Sequence, residues 1–373
     1  MLLLIPAIIS WIALLTGVVL FRRMELLPEA KSASSKLPVS IIIPARNEGN
    51  NIGKLLTSLN IQSHLPGEII VVDDGSSDAT AQIAASMKAR VLSLNDKPEG
   101  WTGKTWACMR GAQSARYDTL MFVDADVWFD KHALERTLEA YRIHDCALSI
   151  LPYHVVKQPY ESLSSLFNIV TAAGVGAFSP DPASPGGFGP LLLIDRKEYN
   201  SIGGHASVRQ QVLENVFLGK RYRQTGKKLK LFPGRGTVNY RMYPNGVHEL
   251  VAGWTKGFAA GAQATDGRTF ALINVWLTGV LLSAWNLIVS PFAASILPAA
   301  AAAACYVLYV LQIRSVLAGI GSFPVIGALT YPIHVVFFMI VFFRSLIMKK
   351  GRRHAMWKGR EIALSDQGNK AGA

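Results

Sequence analysis

The chain has 373 residues, half of them apolar and only 17% charged, with a formal net charge of +13. That length holds one large globular domain plus additional segments, and so apolar a composition excludes a solvated, disordered chain and calls for membrane segments. Cys108, Cys146 and Cys305 show no CxxC spacing, so neither a disulfide framework nor a thiolate metal site is expected.

Residues 1–21 are almost wholly apolar and are followed by Arg22 and Arg23. A membrane span takes about 20 such residues. A cleaved signal peptide carries its charge before the apolar run. Here the charge follows it, which predicts an uncleaved anchor over residues 1–23. Arg22, Arg23, Lys31 and Lys36 then place the next segment in the cytoplasm. Residues 31–38, "KSASSKLP", read as a linker.

Strands and helices then alternate. Val39–Ile43 predicts a buried strand, and "NIGKLLTSL" carries apolar residues at 52, 55, 56 and 59, which is helical spacing. Glu68–Val72 predicts a second strand, "DATAQIAASMKA" a helix, "RVLSL" a third strand, "GKTWACMRGAQSA" a helix and Thr119–Val123 a fourth strand. This alternation predicts an α/β domain over residues 38–265, with a mostly parallel sheet and helices on both faces. Glu161–Phe178 is apolar for such a domain and predicts an amphipathic or interfacial helix.

Three apolar stretches follow, Phe270–Phe292, Ala294–Ile313 and Phe323–Phe343, giving membrane segments over residues 270–347 and a basic tail over 348–373. The tail's charge assigns it to the cytoplasm. Three full spans would leave it outside, so one stretch is expected to be re-entrant or interfacial, most readily one of the first two. Much of the positive excess sits beside these stretches, so its expected partner is anionic lipid rather than nucleic acid.

Ligands of open α/β sheets bind beyond the carboxyl ends of the strands. Three predicted strand ends are polar: "PARNE", "DDGSSD" and "DAD". All three should open on one edge. "DDGSSDAT" alone is equally well a capped helix start. "DAD" is sharper, because Asp124 and Asp126 stand at i and i+2 and share a face. Two carboxylates so close repel unless a cation or proton lies between them. A hard divalent cation bridging to phosphate is the usual solution.

"IIIPARNE", "VVDDGSSDAT", "GWTGKTWA" and "FVDADV", in that order, resemble glycosyltransferase family 2 and its nucleotide-sugar-binding GT-A fold. The resemblance implies that Pro44, Ala45, Asn47 and Glu48 line the nucleotide pocket, that Asp74 holds the base and that Lys104 contacts the nucleotide. It also implies that Asp124 and Asp126 hold Mg2+ or Mn2+ on the diphosphate, Asp126 more directly. "FGP", "GGH", "LENVFLG", "RMYPNG" and "GWTK", followed late in the chain by "WKGR", together resemble the diaponeurosporenoate glycosyltransferases. That resemblance implies a multi-pass cell-membrane enzyme with a cytoplasmic catalytic domain. It would move a hexose, glucose, from a UDP-sugar to a lipid-like acceptor, a carotenoid carboxylic acid, with inversion. Other lipid acceptors (hopanoid, diacylglycerol, ceramide-like or polyprenyl phosphate) and a catalytically decayed GT-A scaffold are the alternatives.

Many members of the family carry Glu-Asp before "xxLxxR", the Asp being the general base. Here the pair is Glu214-Asn215, and an amide takes no proton at neutral pH. Either Glu214 is the catalytic base, or the acceptor is a carboxylate, already ionised above a pKa of about 4 to 5, and needs none. Trp254 lacks the full Gln-x-x-Arg-Trp pattern of the processive synthases. His205 reads equally as an acceptor or phosphate contact and as a turn residue. Arg241 and Lys256 suit a diphosphate, an acceptor carboxylate or a solvated surface. Trp254 suits a sugar stack or a membrane seat.

Overall fold

The computed structural model describes residues 4–22, 25–29, 37–178, 186–292, 296–351, 354–357 and 360–363; the side chains of 256–260, 262–264 and from 348 onward are outside that description. The linker at 31–36, the charges of Arg23, Lys31 and Lys36, and the tail's side chains therefore lie outside the described residues.

In chain order the elements are α1 (Leu4–Leu20), β1 (Val39–Ala45), α2 (Ile52–Asn60), β2 (Glu68–Asp73), α3 (Thr80–Ser86), β3 (Arg90–Ser93), α4 (Gly103–Ser114), β4 (Thr119–Val123), β5 (Val127–Phe129), α5 (Ala133–His144), β6 (Ala147–Leu151) and β7 (Tyr153–His154). They continue as α6 (Ser165–Gly174), β8 (Leu191–Asp195), α7 (Arg196–Ser201), α8 (Glu214–Gln224), β9 (Leu229–Pro233), β10 (Val238–Tyr240), α9 (Val247–Ala264), α10 (Gly267–Val289), α11 (Ile296–Ile320), α12 (Val325–Leu329) and α13 (Tyr331–Gly351). A backbone hairpin, β11 (His354–Trp357) with β12 (Arg360–Ala363), closes the chain as described.

The main sheet has the order β3-β2-β1-β4-β8-β6-β9. β1 to β4 run parallel, β8 is antiparallel to both of its neighbours, and β9 is parallel to β6. Alternate side chains enter opposite cores, as the pleat dictates. Ile41, Ile43, Val71, Met121 and Val123 face the α2–α5 side, and Ile42, Ile70, Val72, Leu120 and Phe122 face α4. Gly111 lets α4 approach the sheet: a Cβ there would collide with Ile42 and press on Val72. A small sheet, β5-β10-β7, lies beside the end of β4.

The second body is a helical bundle. Gly267–Phe292 and Ile296–Ile320 are long and apolar enough to cross a membrane; Leu4–Leu20 and Tyr331–Ile347 are shorter apolar helices. α1 lies along α10, with Ala13 and the Tyr309 hydroxyl against Gly279. Deeper in the bundle the Asn286 amide donates to Ser10 Oγ at 3.2 Å, and the Tyr309 hydroxyl donates to the Ser10 carbonyl at 2.9 Å.

The third apolar stretch is not one straight helix but is broken into α12 and α13. Gly321 bridges His154 of β7, and the Ser322 N–H donates to the His154 carbonyl at 2.8 Å. From there the chain dips through α12. Tyr331 reaches Ser283, well along α10, with 2.6 Å between hydroxyls. α13 then returns to α9, where Ser345 Oγ donates to the Thr255 carbonyl at 2.7 Å. Pro324 precedes α12 in an extended conformation, and Pro332 falls in the first turn of α13, where a missing N–H costs nothing. The third apolar stretch therefore turns back within the bundle, its far end at Tyr331 against α10 and its return end against α9.

The Glu161–Phe178 segment also differs from expectation. It splits into a 3-10 turn, Pro159–Ser164, and α6. α6 is not an amphipathic surface helix: Leu166, Phe167, Ile169, Ala172 and Ala173 are buried where the α/β domain meets α9, α10 and α13.

Candidate active site

β1, β2 and β4 end side by side, so the three polar strand ends do share one edge. The Asp74 N–H donates to the Ala45 carbonyl at 2.9 Å. Asn47 takes the left-handed conformation (φ 52°). Its carboxamide oxygen accepts from the Ser77 N–H at 2.8 Å, and the Glu48 N–H donates to Thr80 Oγ1 at 2.8 Å. Arg46 reaches back to the carbonyls of Asp74 and Gly75. "PARNE" and "DDGSSD" are therefore one latched unit, with Pro44 and Ala45 still inside β1. Asp73 accepts from Ser76 and shapes the turn, while Asp74 is 3% exposed.

Thr102 caps α4 by accepting the Thr105 N–H, which sets Lys104 in the first turn over this edge. The Lys104 ammonium lies 2.6 Å from Asp124 Oδ1 and 2.6 Å from Glu214 Oε1. Burial disfavours the ammonium, but the two carboxylates outweigh it and hold its pKa above the ordinary lysine value. Glu214 is shifted upward by its own burial and by Asp124, against the pull of Lys104. Asp126, exposed, follows at the rim, and the Asp124 N–H is anchored on the Pro190 carbonyl at 2.9 Å.

Asn215 is buried, and its Nδ2 donates to the Gly189 carbonyl at 2.5 Å. The Tyr199 hydroxyl accepts the His205 N–H at 3.0 Å and lies 2.9 Å from Nδ1 of the same residue. Nε2 faces the Asn215 amide without reaching hydrogen-bond geometry. Burial and then Lys104 pull the His205 pKa down to about 3, so the ring is neutral. His205 is a buried neighbour of Asn215 rather than a rim contact.

The remaining expected site residues separate. Arg241 donates from Nε (3.0 Å) and Nη2 (2.5 Å) to Glu161 Oε1, the Glu161 carboxylate being fully buried. It is an anchored cation, not a solvated one. Trp254 stacks on Phe167 at 4.7 Å and donates to Ser164 Oγ at 3.0 Å. It seats the domain on the bundle, and with its ring covered the sugar-stack expectation is corrected. Lys256 lies on α9, its side chain outside the described residues.

Sequence reasoning missed the Lys104–Glu214 pair and the buried Tyr199–His205 pair beside Asn215. It also missed Lys54, whose ammonium sits 2.7 Å from the Trp128 ring centroid. The available signal was position: Lys54 stands in the first turn of the helix that follows a ligand-edge strand.

Among the described residues no three His, Cys, Asp or Glu side chains converge on one ion position. The two acids of "DAD" supply hard oxygen donors and leave the rest of a shell to phosphate and water. That is the usual share of protein ligands at a Mg2+ or Mn2+ site working on a nucleotide, and the residues fit such an ion.

A family model, "Glycosyl transferase family 2", matches residues 40–217. The 4,4'-diaponeurosporenoate glycosyltransferase of Staphylococcus aureus (strain USA300) is 32% identical over 97% of this chain and 98% of its own. The enzyme of the same name from Staphylococcus haemolyticus is 37% identical over 75% of this chain and 77% of its own. Among solved structures, the mannosyltransferase PcManGT from Pyrobaculum calidifontis, in complex with GDP-Man and Mn2+, superposes with a TM-score of 0.55. It is 14% identical and covers 94% of this chain and 100% of that one; at that identity it shows the GT-A type α/β fold alone.

Proposed function

The chain belongs to glycosyl transferase family 2, and on that premise we propose that it moves glucose from a UDP-sugar to the carboxylate of a membrane-embedded carotenoid acid. The product is a glycosyl ester. The name carried by the staphylococcal relatives supports the acceptor class. The observation that carries the reading is Asn215. Its amide donates to Gly189 and turns its other face to His205, so no base stands there. A carboxylate acceptor, ionised at neutral pH, attacks the anomeric carbon without losing a proton. The leaving nucleoside diphosphate departs from the opposite face, so the configuration inverts.

The nucleotide occupies the edge formed by Pro44, Ala45, Asn47, Glu48 and Asp74. Lys104 presents its ammonium to the diphosphate. Asp124 and Asp126 would hold Mg2+ or Mn2+, which supplies Lewis-acid stabilisation of the leaving group when bound. The apolar outer faces of α1, α10 and α11 support a membrane placement. With α12–α13 entering and leaving on one side, three spans leave both the catalytic domain and the tail in the cytoplasm.

A second reading has one observation in its favour. Burial raises the Glu214 carboxyl, which makes it a better base for a lipid hydroxyl. Both readings share the first test. Membranes carrying the chain, given labelled UDP-glucose and a lipid extract, should move label into the organic phase only with Mg2+ or Mn2+. Transfer undiminished in EDTA would contradict the metal assignment.

A further inference from the structure

The geometry points to a subsite for the acceptor's carboxylate, formed by Lys54, Lys157 and Arg241 at the rim of the small sheet beside Asp126. It rests on the reading of the acceptor as a carboxylic acid. The register of β5, β10 and β7 brings these groups together. Asn239 pairs with Trp128 and Tyr240 with Val127, antiparallel, while Tyr240 pairs with His154, parallel. One residue further, Arg241 lies beside Asp126 on one side and Val155 on the other, where the Val155 N–H donates to the Tyr240 carbonyl at 2.9 Å. Lys157 follows two residues on, its N–H held by Glu161 Oε2 at 2.7 Å. Lys54 comes from α2 and rests on Trp128, next to the same strand end.

Three cations outnumber the two carboxylates at this rim: Glu161 is committed to Arg241, and Asp126 is the other acid. Neither Lys54 nor Lys157 has an ion-pair partner among the described residues. The Lys54 pKa falls to about 8, through burial first and then repulsion from Lys157 and Arg241. An arriving anion relieves that crowding.

The surroundings say what kind of anion. Val156, Tyr160, Met242 and Tyr243 adjoin the three cations and pack on the apolar cluster that continues into the helical bundle. The Val156 N–H also donates to Ser322 Oγ, at the head of the re-entrant hairpin, at 2.8 Å. An acid group with an apolar chain matches both halves: carboxylate on the cations, chain toward the bundle. A donor diphosphate matches only the first.

The test uses the purified full chain in lipid nanodiscs, with a labelled long-chain polyene carboxylic acid and the primary alcohol of the same chain as probes. Dissociation constants are read for the wild type, Lys54→Gln, Lys157→Gln and the double variant, and UDP binding is followed by calorimetry. A charge-assisted hydrogen bond to a carboxylate predicts about a tenfold or larger preference for the acid in the wild type. In the double variant that preference should shrink to about twofold, with UDP affinity held within about twofold. A double variant that keeps the full preference overturns the subsite while leaving the acid-acceptor reading standing. A loss of UDP affinity with the preference intact overturns it in favour of a diphosphate contact. A wild type that binds acid and alcohol alike overturns the acid-acceptor reading itself, and the subsite with it.

Discussion

Lys104→Met removes the one ammonium that lies 2.6 Å from both Asp124 and Glu214. Asp124 keeps about a quarter of its side chain exposed and can be rehydrated, but Glu214 keeps only 3%. Breaking a buried pair costs about 3–5 kcal/mol when the orphaned charge must stay. Glu214 has a way out, which is to take a proton. From an ordinary value of 4.5, protonation at pH 7 costs about 3.5 kcal/mol, at ~1.4 kcal/mol per pH unit. That is the ceiling on the loss, and it falls as the pH falls. The folded-state pKa of Glu214 already stands above its unfolded value beside Lys104 and rises further once Lys104 is gone. Both proteins then lose stability as pH rises above about 4.5, the variant more steeply. Lys104→Met should therefore be about 3 kcal/mol less stable than wild type at pH 7 and within about 1 kcal/mol at pH 5. Glu214→Gln added to Lys104→Met should recover most of the loss at pH 7. Denaturant titrations in mild detergent, followed by far-UV circular dichroism at both pH values, measure this. A loss below about 1 kcal/mol at pH 7, or the same loss at both pH values, refutes the buried-pair reasoning.

Asp126→Ala should abolish transfer and weaken Mn2+-dependent UDP binding sharply with the melting temperature unchanged, since Asp126 is exposed; a variant with normal turnover refutes its metal role. Trp254→Ala removes a ring stacked on Phe167 and a hydrogen bond to Ser164 and should cost about 3–5 kcal/mol, read by thermal unfolding; a change under about 1 kcal/mol would mean that the seat is not structural. Single cysteines at exposed positions within residues 40–260, or at exposed Ile347 near the end of α13, should resist an impermeant reagent applied to intact cells, while one at exposed Phe292, at the end of the first long apolar helix, should react. Labelling of the catalytic domain from outside sinks the cytoplasmic assignment.

The α/β half was legible because its signals are local. Four apolar runs bounded by turns gave β1 to β4, short only where β1 and β2 continue to Ala45 and Asp73. The acids at their ends fall on one edge of the sheet, as their positions implied. What stayed hidden depends on distant partners. Leu191–Asp195 reads as one more apolar run, and nothing in it says that it inserts antiparallel between β4 and β6. Phe323–Phe343 has the composition of a span. Its return to α9 is fixed by His154, Ser283 and Thr255, which no window of sequence contains. Lys104 and Glu214 likewise meet only once α4 and α8 have been folded onto one edge. Trp254 was read as a ligand or membrane residue because its burial partner, Phe167, lies in a helix that itself looked superficial.

The nature of the bond formed tests the central claim most directly. Purified protein is supplied with UDP-glucose and a long-chain polyene carboxylic acid, and the lipid product is exposed to mild alkali. An alkali-labile glucosyl ester is expected. Rates nearly flat between about pH 6 and 8 are also expected, because the acceptor is ionised throughout, with substantial activity in Glu214→Gln. An alkali-stable glycoside made from a lipid alcohol, with Glu214→Gln slowed about 10²–10⁴-fold, would contradict that claim and assign Glu214 as the base of a lipid-alcohol glucosyltransferase.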